Sequence, residues 1–214
     1  MEELLTTIIP PVVASVMEAL GGQSLPDPDS VSYYALESDR KIYLDEDICE
    51  RTMEAQRMLM RWNMEDAKAG KTRETAKPIW LYVMSYGGDL DYMWSLIDTI
   101  EASIAPVYTV NLGIAGSAAS LIFVSGVKRF MMKNAKVVIH EGSAQLQGDA
   151  IKVQDAADSY KVELKRMKEF ILTHTEIPKT QLMKKRANDW TLDSAYCLEH
   201  GVCDTVVEDM REII

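Results

Sequence analysis

Cysteine and histidine are both scarce in this chain of 214 residues, which has three of each. The cysteines are odd in number, and they form neither a CxxC motif nor a spacing typical of metal ligands. We therefore expect no bound metal, and we see no other residue pattern that indicates a cofactor. We interpret the thiols as reduced structural or surface groups. They belong to Cys49, Cys197 and Cys203.

Positive charge is also in short supply. The chain has 23 basic and 33 acidic residues, which gives a formal net charge of −10 and a pI near 4.8. An acidic surface repels phosphate backbones and anionic headgroups. The composition therefore argues against nonspecific nucleic-acid binding and against attachment to anionic membranes.

Long apolar runs are missing too, and no run is long enough to span a bilayer. The first twenty residues, MEELLTTIIPPVVASVMEAL, are apolar enough to invite comparison with a signal peptide. However, Glu2 and Glu3 stand where such a peptide carries basic residues, and a proline pair interrupts the run. We therefore expect the chain to act in the cytoplasm.

The remaining composition is that of a globular protein, with 47% hydrophobic and 26% charged residues. Residues 21–30, GGQSLPDPDS, are typical of a linker because they combine glycine, proline and polar residues. We predict an N-terminal extension and linker over residues 1–30 and one domain over residues 31–214. There is no internal repeat.

Segments with strand-like and helical patterns alternate along that domain, as in α/β proteins built from strand–helix crossover units. Residues 63–77 are predicted to form a charged, solvated loop or a frayed helix end. Strands are predicted at 41–44, 79–84, 107–112, 136–140 and 202–207. Helices are predicted at 50–64, 90–103, 149–173, 179–187 and 194–200, and a further helix begins within the serine-containing segment at 113–126.

That segment, GIAGSAASLIFVSG, is small and apolar apart from Ser117, Ser120 and Ser125. Small residues allow close approach of backbone or substrate, and a buried hydroxyl must be hydrogen-bonded or used. A strand, a glycine-containing turn, a serine and a buried helix can together present a nucleophile. A serine among small residues is otherwise a packing residue.

Further candidate site residues lie near strand ends. His140 ends an apolar strand, whereas His174 and His200 are predicted at helix ends, so His140 is the best candidate base by elimination. The pair Gly87–Gly88 follows another strand and can aim backbone N–H groups into a site. Plainer roles are also compatible with the sequence: the glycine pair as a simple turn, and Asn188–Asp189 as a turn or cap.

Five motifs occur in one order: SYGG at 85–88, the serine segment, His140, AND at 187–189 and YCLEHGVCD at 196–204. Together they resemble the proteolytic subunit of the Clp protease, ClpP, over all but the first thirty or so residues. The resemblance implies an α/β fold of the ClpP/crotonase type. This fold has repeated strand–helix crossover units and a protruding long helix.

The family pattern Gly-x-Ala-x-Ser distinguishes between the serines. Residues 113–117, GIAGS, fit it with Ser117 as nucleophile and need no gap relative to Gly88 or Gly126. Choosing Ser120, which follows two alanines, would insert three residues before it. The resemblance therefore favours Ser117.

The resemblance also implies the roles of the other residues. Ser117 would attack the scissile carbonyl, His140 would act as general base and then acid, and Asp189 would orient the imidazole. The backbone N–H groups of Gly88 and Ala118 would form the oxyanion hole. The backbone after Gly88 and after His140 would pair with an extended peptide as an added strand.

The sequence departs from the family at several places, including a longer, charged loop before Ile79. Met84 and Tyr86 stand in place of the asparagine and the proline of Asn-Ser-Pro-Gly-Gly, and Gly142 replaces a proline two residues after the histidine. Asn188 replaces an arginine associated with contacts between rings.

The resemblance implies a serine endopeptidase that cleaves unfolded proteins or peptides inside an oligomeric chamber. Its partners would be copies of itself, in a ring or stacked rings, and a Clp-type AAA+ ATPase; the long helix would supply ring-to-ring contacts. A divergent bacterial subunit and a phage-type capsid maturation protease are both compatible with the motifs. The competing hypotheses are a catalytically silent scaffold and an acyl-CoA-binding enzyme of the crotonase type.

Overall fold

The computed structural model describes Asp27, Ala35 and residues 38–142, 147–184 and 189–214. Contacts divide the chain into two compact units, residues 1–42 and residues 43–214. In the first unit, the Ser38 hydroxyl donates to the Ala35 carbonyl over 2.8 Å. The predicted domain boundary at residue 30 lies outside the described residues and stays a prediction.

The fold is α/β, as predicted, and its strands form one sheet in the described part of the chain. The strand order is β1-β2-β3-β4-β7, with β5 beside β3 and β6 beside β5. β3 is parallel to β2, β4 and β5, β7 is parallel to β4, and β6 is antiparallel to β5. The strands are β1 (Lys41–Leu44), β2 (Ile79–Ser85), β3 (Val107–Gly116), β4 (Lys128–Met132), β5 (Lys136–Ile139), β6 (Trp190–Leu192) and β7 (Thr205–Val207).

Helices alternate with these strands, most of them within a few residues of the prediction. The helix predicted at 50–64 continues to Lys68, so the first part of segment 63–77 is a helix end rather than a loop. The carboxyl group of Asp89 caps the helix after β2 by accepting from the N–H groups of Asp91 and Tyr92. The helices are α1 (Thr52–Lys68), α2 (Leu90–Glu101), α3 (Ala118–Val124), α4 (Ala150–His174), α5 (Lys179–Lys184), α6 (Ser194–Glu199) and a 3₁₀ turn (Met210–Glu212).

Two strands have no counterpart in the prediction, β4 and β6. β4 begins with two basic residues, Lys128 and Arg129, which disguise its apolar pattern. It forms because it lies between β3 and β7, where Met131 is fully buried. β6 has three residues, too few to show a period.

Alternate residues of β2 show where the core lies. Leu81 and Val83 are fully buried, whereas Trp80 is half-buried and Met84 is exposed on the opposite face. On that outer face the Trp80 ring packs 5.2 Å from the Tyr108 ring and 5.4 Å from the Phe130 ring. The sheet therefore has one face in the main core, and its other, aromatic face holds a smaller buried cluster around Tyr82 and Val110 with half-buried rings beside it.

Candidate active site

The predicted site residues gather at one edge of the sheet. The parallel strands β2, β3 and β5 all end at this edge, and the antiparallel strand β6 begins there. Gly87–Gly88 follow β2, Ser117 follows β3, His140 follows β5, and Asp189 precedes β6. Open α/β sheets bind ligands outside the carboxyl ends of their parallel strands. Four segments that are distant in sequence therefore converge on one location.

Ser117 occupies the turn between β3 and α3 in an unusual backbone conformation. Its φ is +51°, one of two positive values among the non-glycine residues that the structure describes. Its N–H donates to the Val138 carbonyl over 2.8 Å, which ties the turn to β5. Residues in such strained conformations persist only where the surrounding structure holds them, and they are most common at functional sites. The Ser117 side chain remains half-exposed.

The other two serines of the segment are buried and hydrogen-bonded. The Ser120 side chain donates to the Ser117 carbonyl over 2.6 Å, and Ser120 is only 2% exposed. The Ser125 hydroxyl donates to the Ile122 carbonyl over 2.7 Å. Both hydroxyls thus satisfy backbone carbonyls inside the fold. Ser117 alone of the three is reachable from solvent.

His140 and Asp189 lie side by side because β5 and β6 pair in register. Ile139 pairs with Trp190, and the next residues outward on the two strands are His140 and Asp189. The imidazole Nδ1 lies 3.5 Å from Oδ1 of the carboxylate, and the side chains are 31% and 76% exposed, respectively. A carboxylate at Nδ1 can orient the ring and leave Nε2 to exchange a proton.

The other two histidines lie at helix ends, as predicted. His174 is the last residue of α4, and its Nε2 lies 3.1 Å from Oε1 of Glu101. His200 follows α6 and stacks on the Tyr196 ring with centroids 3.8 Å apart. Both rings are therefore engaged away from the sheet edge that carries His140.

The glycine pair passes between Ile48 and Ser117. Gly87 and Gly88 have φ values of +110° and +151°. A Cβ at Gly87 would lie 2.6 Å from the Ser117 Cβ and 3.0 Å from the Ala118 nitrogen, and a Cβ at Gly88 would lie 2.2 Å from the Ile48 carbonyl oxygen. Glycine is therefore required on steric grounds at both positions.

Backbone hydrogen bonds determine which way the Gly88 amide points. The Ile48 N–H donates to the Gly87 carbonyl, and the Asp89 N–H donates to the Ile48 carbonyl, each over 2.8 Å. In such a parallel bridge, the N–H of the intervening residue points to the opposite side. The Gly88 N–H consequently points away from Ile48, toward the β3 side where Ser117 lies. The sequence does not predict the contact of Ile48 with the glycine pair, because no motif or pattern around Ile48 indicates a site.

An apolar cavity lies beside His140, between the end of β5 and helix α4. Its lining is mostly aliphatic, but the side chains of His140, Glu141 and Lys168 also line it. An apolar side chain fits such a lining. The lining residues are Ile139, His140, Glu141, Leu164, Met167, Lys168, Ile171, Leu182 and Trp190.

The three cysteines are free thiols, and those of Cys197 and Cys203 are buried. Burial raises the pKa of the Cys203 thiol to about 11 and raises that of Cys197 further. Within the described ranges, no three His, Cys, Asp or Glu side chains are grouped to hold a metal ion. In that same part of the chain, no helix is long and apolar enough to cross a membrane.

The chain is similar in sequence to several proteolytic subunits of the Clp protease. The chain is 27% identical over 140 residues to the ATP-dependent Clp protease proteolytic subunit 2 of Treponema pallidum, covering 64% of this chain and 70% of that protein. It is 29% identical over 139 residues to the subunit 2 of Treponema denticola, with coverage of 64% and 70%. For the proteolytic subunit of Deinococcus radiodurans, identity is 26% over 136 residues, with coverage of 63% and 67%. The model of the Clp protease family matches residues 29–210, and the chain belongs to that family.

Proposed function

We propose that the chain is a serine endopeptidase in which Ser117, His140 and Asp189 act as a catalytic triad. The Ser117 hydroxyl attacks the scissile carbonyl while His140 takes its proton, and His140 then donates that proton to the leaving amine. Water attacks the resulting acyl-enzyme with His140 again as base. The observation that carries this proposal is the convergence of the half-buried, strained Ser117 with the His140–Asp189 pair at one sheet edge.

The oxyanion of the tetrahedral intermediate is stabilised by backbone N–H groups in this proposal. The Gly88 N–H points toward the side of Ser117, and the Ala118 nitrogen lies next to Gly87 at the start of α3. Removing one such donor in serine proteases typically lowers the rate by about 10² to 10³. Because both donors are backbone groups, position 88 needs no side chain, and the Ala118 side chain only has to leave space for the substrate.

We propose an extended peptide as the substrate. By resemblance to the family, the peptide would pair as an added strand with the backbone after Gly88 and after His140, which recognises main chain with little regard to side chains. The aliphatic side chains beside His140 offer an apolar surface to the peptide near the scissile bond. Only unfolded proteins or peptides present such a segment, because a folded protein keeps its backbone paired.

We further propose that the chain works as a homo-oligomeric ring or stacked rings in the cytoplasm, together with a Clp-type AAA+ ATPase. The aromatic outer face supports an assembly, since parallel sheets are normally covered on both faces. Exposed apolar residues on α4, Ile151 at 74% and Val162 at 65%, support contacts along the long helix. The proteins it resembles are named ATP-dependent, which supports an ATPase partner.

A fluorophosphonate probe tests the catalytic proposal directly, because it reacts only with activated serines. We expect labelling of the full-length protein at Ser117, mapped by mass spectrometry, and loss of labelling in Ser117→Ala. Ser120→Ala is the matched control. It removes a buried hydroxyl one turn away, costs about 1 kcal/mol of stability, and leaves Ser117 labelled. An intact protein without labelling, or with labelling at Ser120, would overturn the assignment.

A further inference from the structure

Two side chains of helix α4 bind the residue that directly follows His140. The Tyr160 hydroxyl donates to the Glu141 carbonyl over 2.7 Å. The Lys168 ammonium lies 2.5 Å from Oε1 of the Glu141 carboxylate, and these two side chains are only 24% and 29% exposed. The backbone and the side chain of Glu141 are thus both attached to one helix. We call this arrangement the Glu141 latch, comprising Glu141, Tyr160 and Lys168.

The latch explains why residue 142 is glycine. Gly142 has φ +75°, and a Cβ there would lie 2.9 Å from the Tyr160 hydroxyl oxygen. Proline requires φ near about −65° and could not adopt this backbone. The glycine and the tyrosine are therefore parts of the same local arrangement.

The spacing of the latch residues places them on one face of α4. Tyr160, Leu164 and Lys168 recur every four residues, so they lie one above the other on the helix. Leu164 and Lys168 also line the apolar cavity together with His140. The same helical face therefore contacts the backbone after the imidazole and borders the ring itself.

Among the residues that the structure describes, the charged side chains near His140 come from three elements. Asp189 approaches Nδ1 from the start of β6, Glu141 follows the imidazole on its own segment, and Lys168 comes from α4. An unpaired Glu141 carboxylate would add a second negative charge near the imidazole. Pairing with Lys168 offsets the charge of Glu141, so the carboxylate of Asp189 acts on the ring without that second charge. Burial, and then the Glu141 charge, raise the pKa of the Tyr160 hydroxyl, so it remains a hydrogen-bond donor at neutral pH.

We propose that Tyr160 and Lys168 are positioning residues that hold His140 in place through Glu141. This inference rests on the proposed function, in which His140 is the general base. Small displacements of a catalytic group have large effects on rate because the reacting atoms must be aligned.

Fluorophosphonate labelling of Ser117, followed against pH, tests the catalytic consequence. We expect Tyr160→Phe and Lys168→Met to lower the labelling rate at pH 7 about tenfold. Lys168→Arg, which keeps the ion pair, restores most of it. In Lys168→Met the acid limb of the profile moves to higher pH, because the unpaired Glu141 carboxylate favours the imidazolium. The control is Lys165→Met, which removes the exposed pair with Glu169 on the same helix and leaves rate and profile unchanged.

A second measurement is independent of catalysis. The chain has three histidines, so their side-chain NMR titrations can be assigned by single substitutions. We expect the His140 midpoint to rise in Lys168→Met and to stay unchanged in Lys165→Met, while Tyr160→Phe shifts the His140 ring resonances. If wild type is not labelled but His140 responds in this way, the proposed function fails and the latch stands. If His140 does not respond and the labelling rates stay at wild-type level, the latch is wrong.

Discussion

Gly87 lies against Ser117, so close that a methyl group at position 87 would come within 2.6 Å of the Ser117 Cβ. The same methyl would lie 2.7 Å from the Gly116 carbonyl oxygen, so the collision involves backbone that cannot rotate away. Gly87 also has φ +110°, which L residues rarely adopt. The turn that carries Ser117 and the turn that carries the Gly88 amide therefore have to fit each other.

The first prediction concerns this contact. Gly87→Ala should lower fluorophosphonate labelling of Ser117 by at least about 10², because the substitution forces the two turns apart. Strain should also lower the free energy of unfolding by about 1–3 kcal/mol. Gly70→Ala is the matched control, since Gly70 has φ +64° but nothing within 4 Å of the added Cβ. Gly70→Ala should lower the free energy of unfolding only through backbone strain, and the labelling of Ser117 should be unchanged. Equal labelling of both variants would contradict the prediction.

The second prediction concerns Arg129, which joins three parts of the fold. Its backbone N–H and guanidinium donate to both oxygens of Asp204. The guanidinium also donates to the carbonyls of His174 and Gly201, over 2.6 and 2.8 Å. Arg129→Met should lower the free energy of unfolding by about 2–3 kcal/mol, because two carbonyls lose their guanidinium donor and the Asp204 carboxylate keeps only its bond from the backbone N–H.

Urea unfolding measures this loss. Arg129→Lys keeps the charge but not the planar fork, so its stability should fall between those of wild type and Arg129→Met. The exposed pair Arg51–Glu46 gives a control, and Arg51→Met should change stability by less than about 1 kcal/mol. Indistinguishable losses for Arg129→Met and Arg51→Met would refute the structural role assigned to Arg129.

The third prediction follows from the buried thiol of Cys203, whose pKa is raised from 9.0 to about 11. Above pH 9 the unfolded chain loses this proton while the folded chain retains it. The stabilisation is therefore complete below pH 9 and is lost as pH rises toward 11. We expect the stability difference between wild type and Cys203→Ala to shrink across that interval in urea unfolding. A difference that stays constant with pH would show that the thiol is not desolvated.

The glycine and serine parts of the candidate site could be predicted from local sequence, whereas the aspartate could not. Gly87–Gly88 and Ser117 sit at turns after apolar strands, and such strands show in the hydrophobic pattern. No local sequence pattern distinguishes Asp189 as a site residue, and only the family resemblance identifies it. Its position depends on β6, a three-residue strand whose pairing with β5 has no local signature. The contact of Ile48 with the glycine pair and the Glu141 latch likewise link residues that are distant in sequence.

The pairing of β5 with β6 has a consequence for the order in which the molecule matures. Asp189 lies 72 residues after Ser117 and 49 residues after His140, so the ribosome adds it last of the three. A polypeptide still emerging from the ribosome can form the serine turn and the histidine strand, yet the imidazole has no carboxylate beside it until β6 docks. Long-range strand pairing of this kind is slow, because chain closure must precede the contacts that stabilise it. In the proposed triad, His140 would therefore gain its orienting carboxylate only once the sheet is complete.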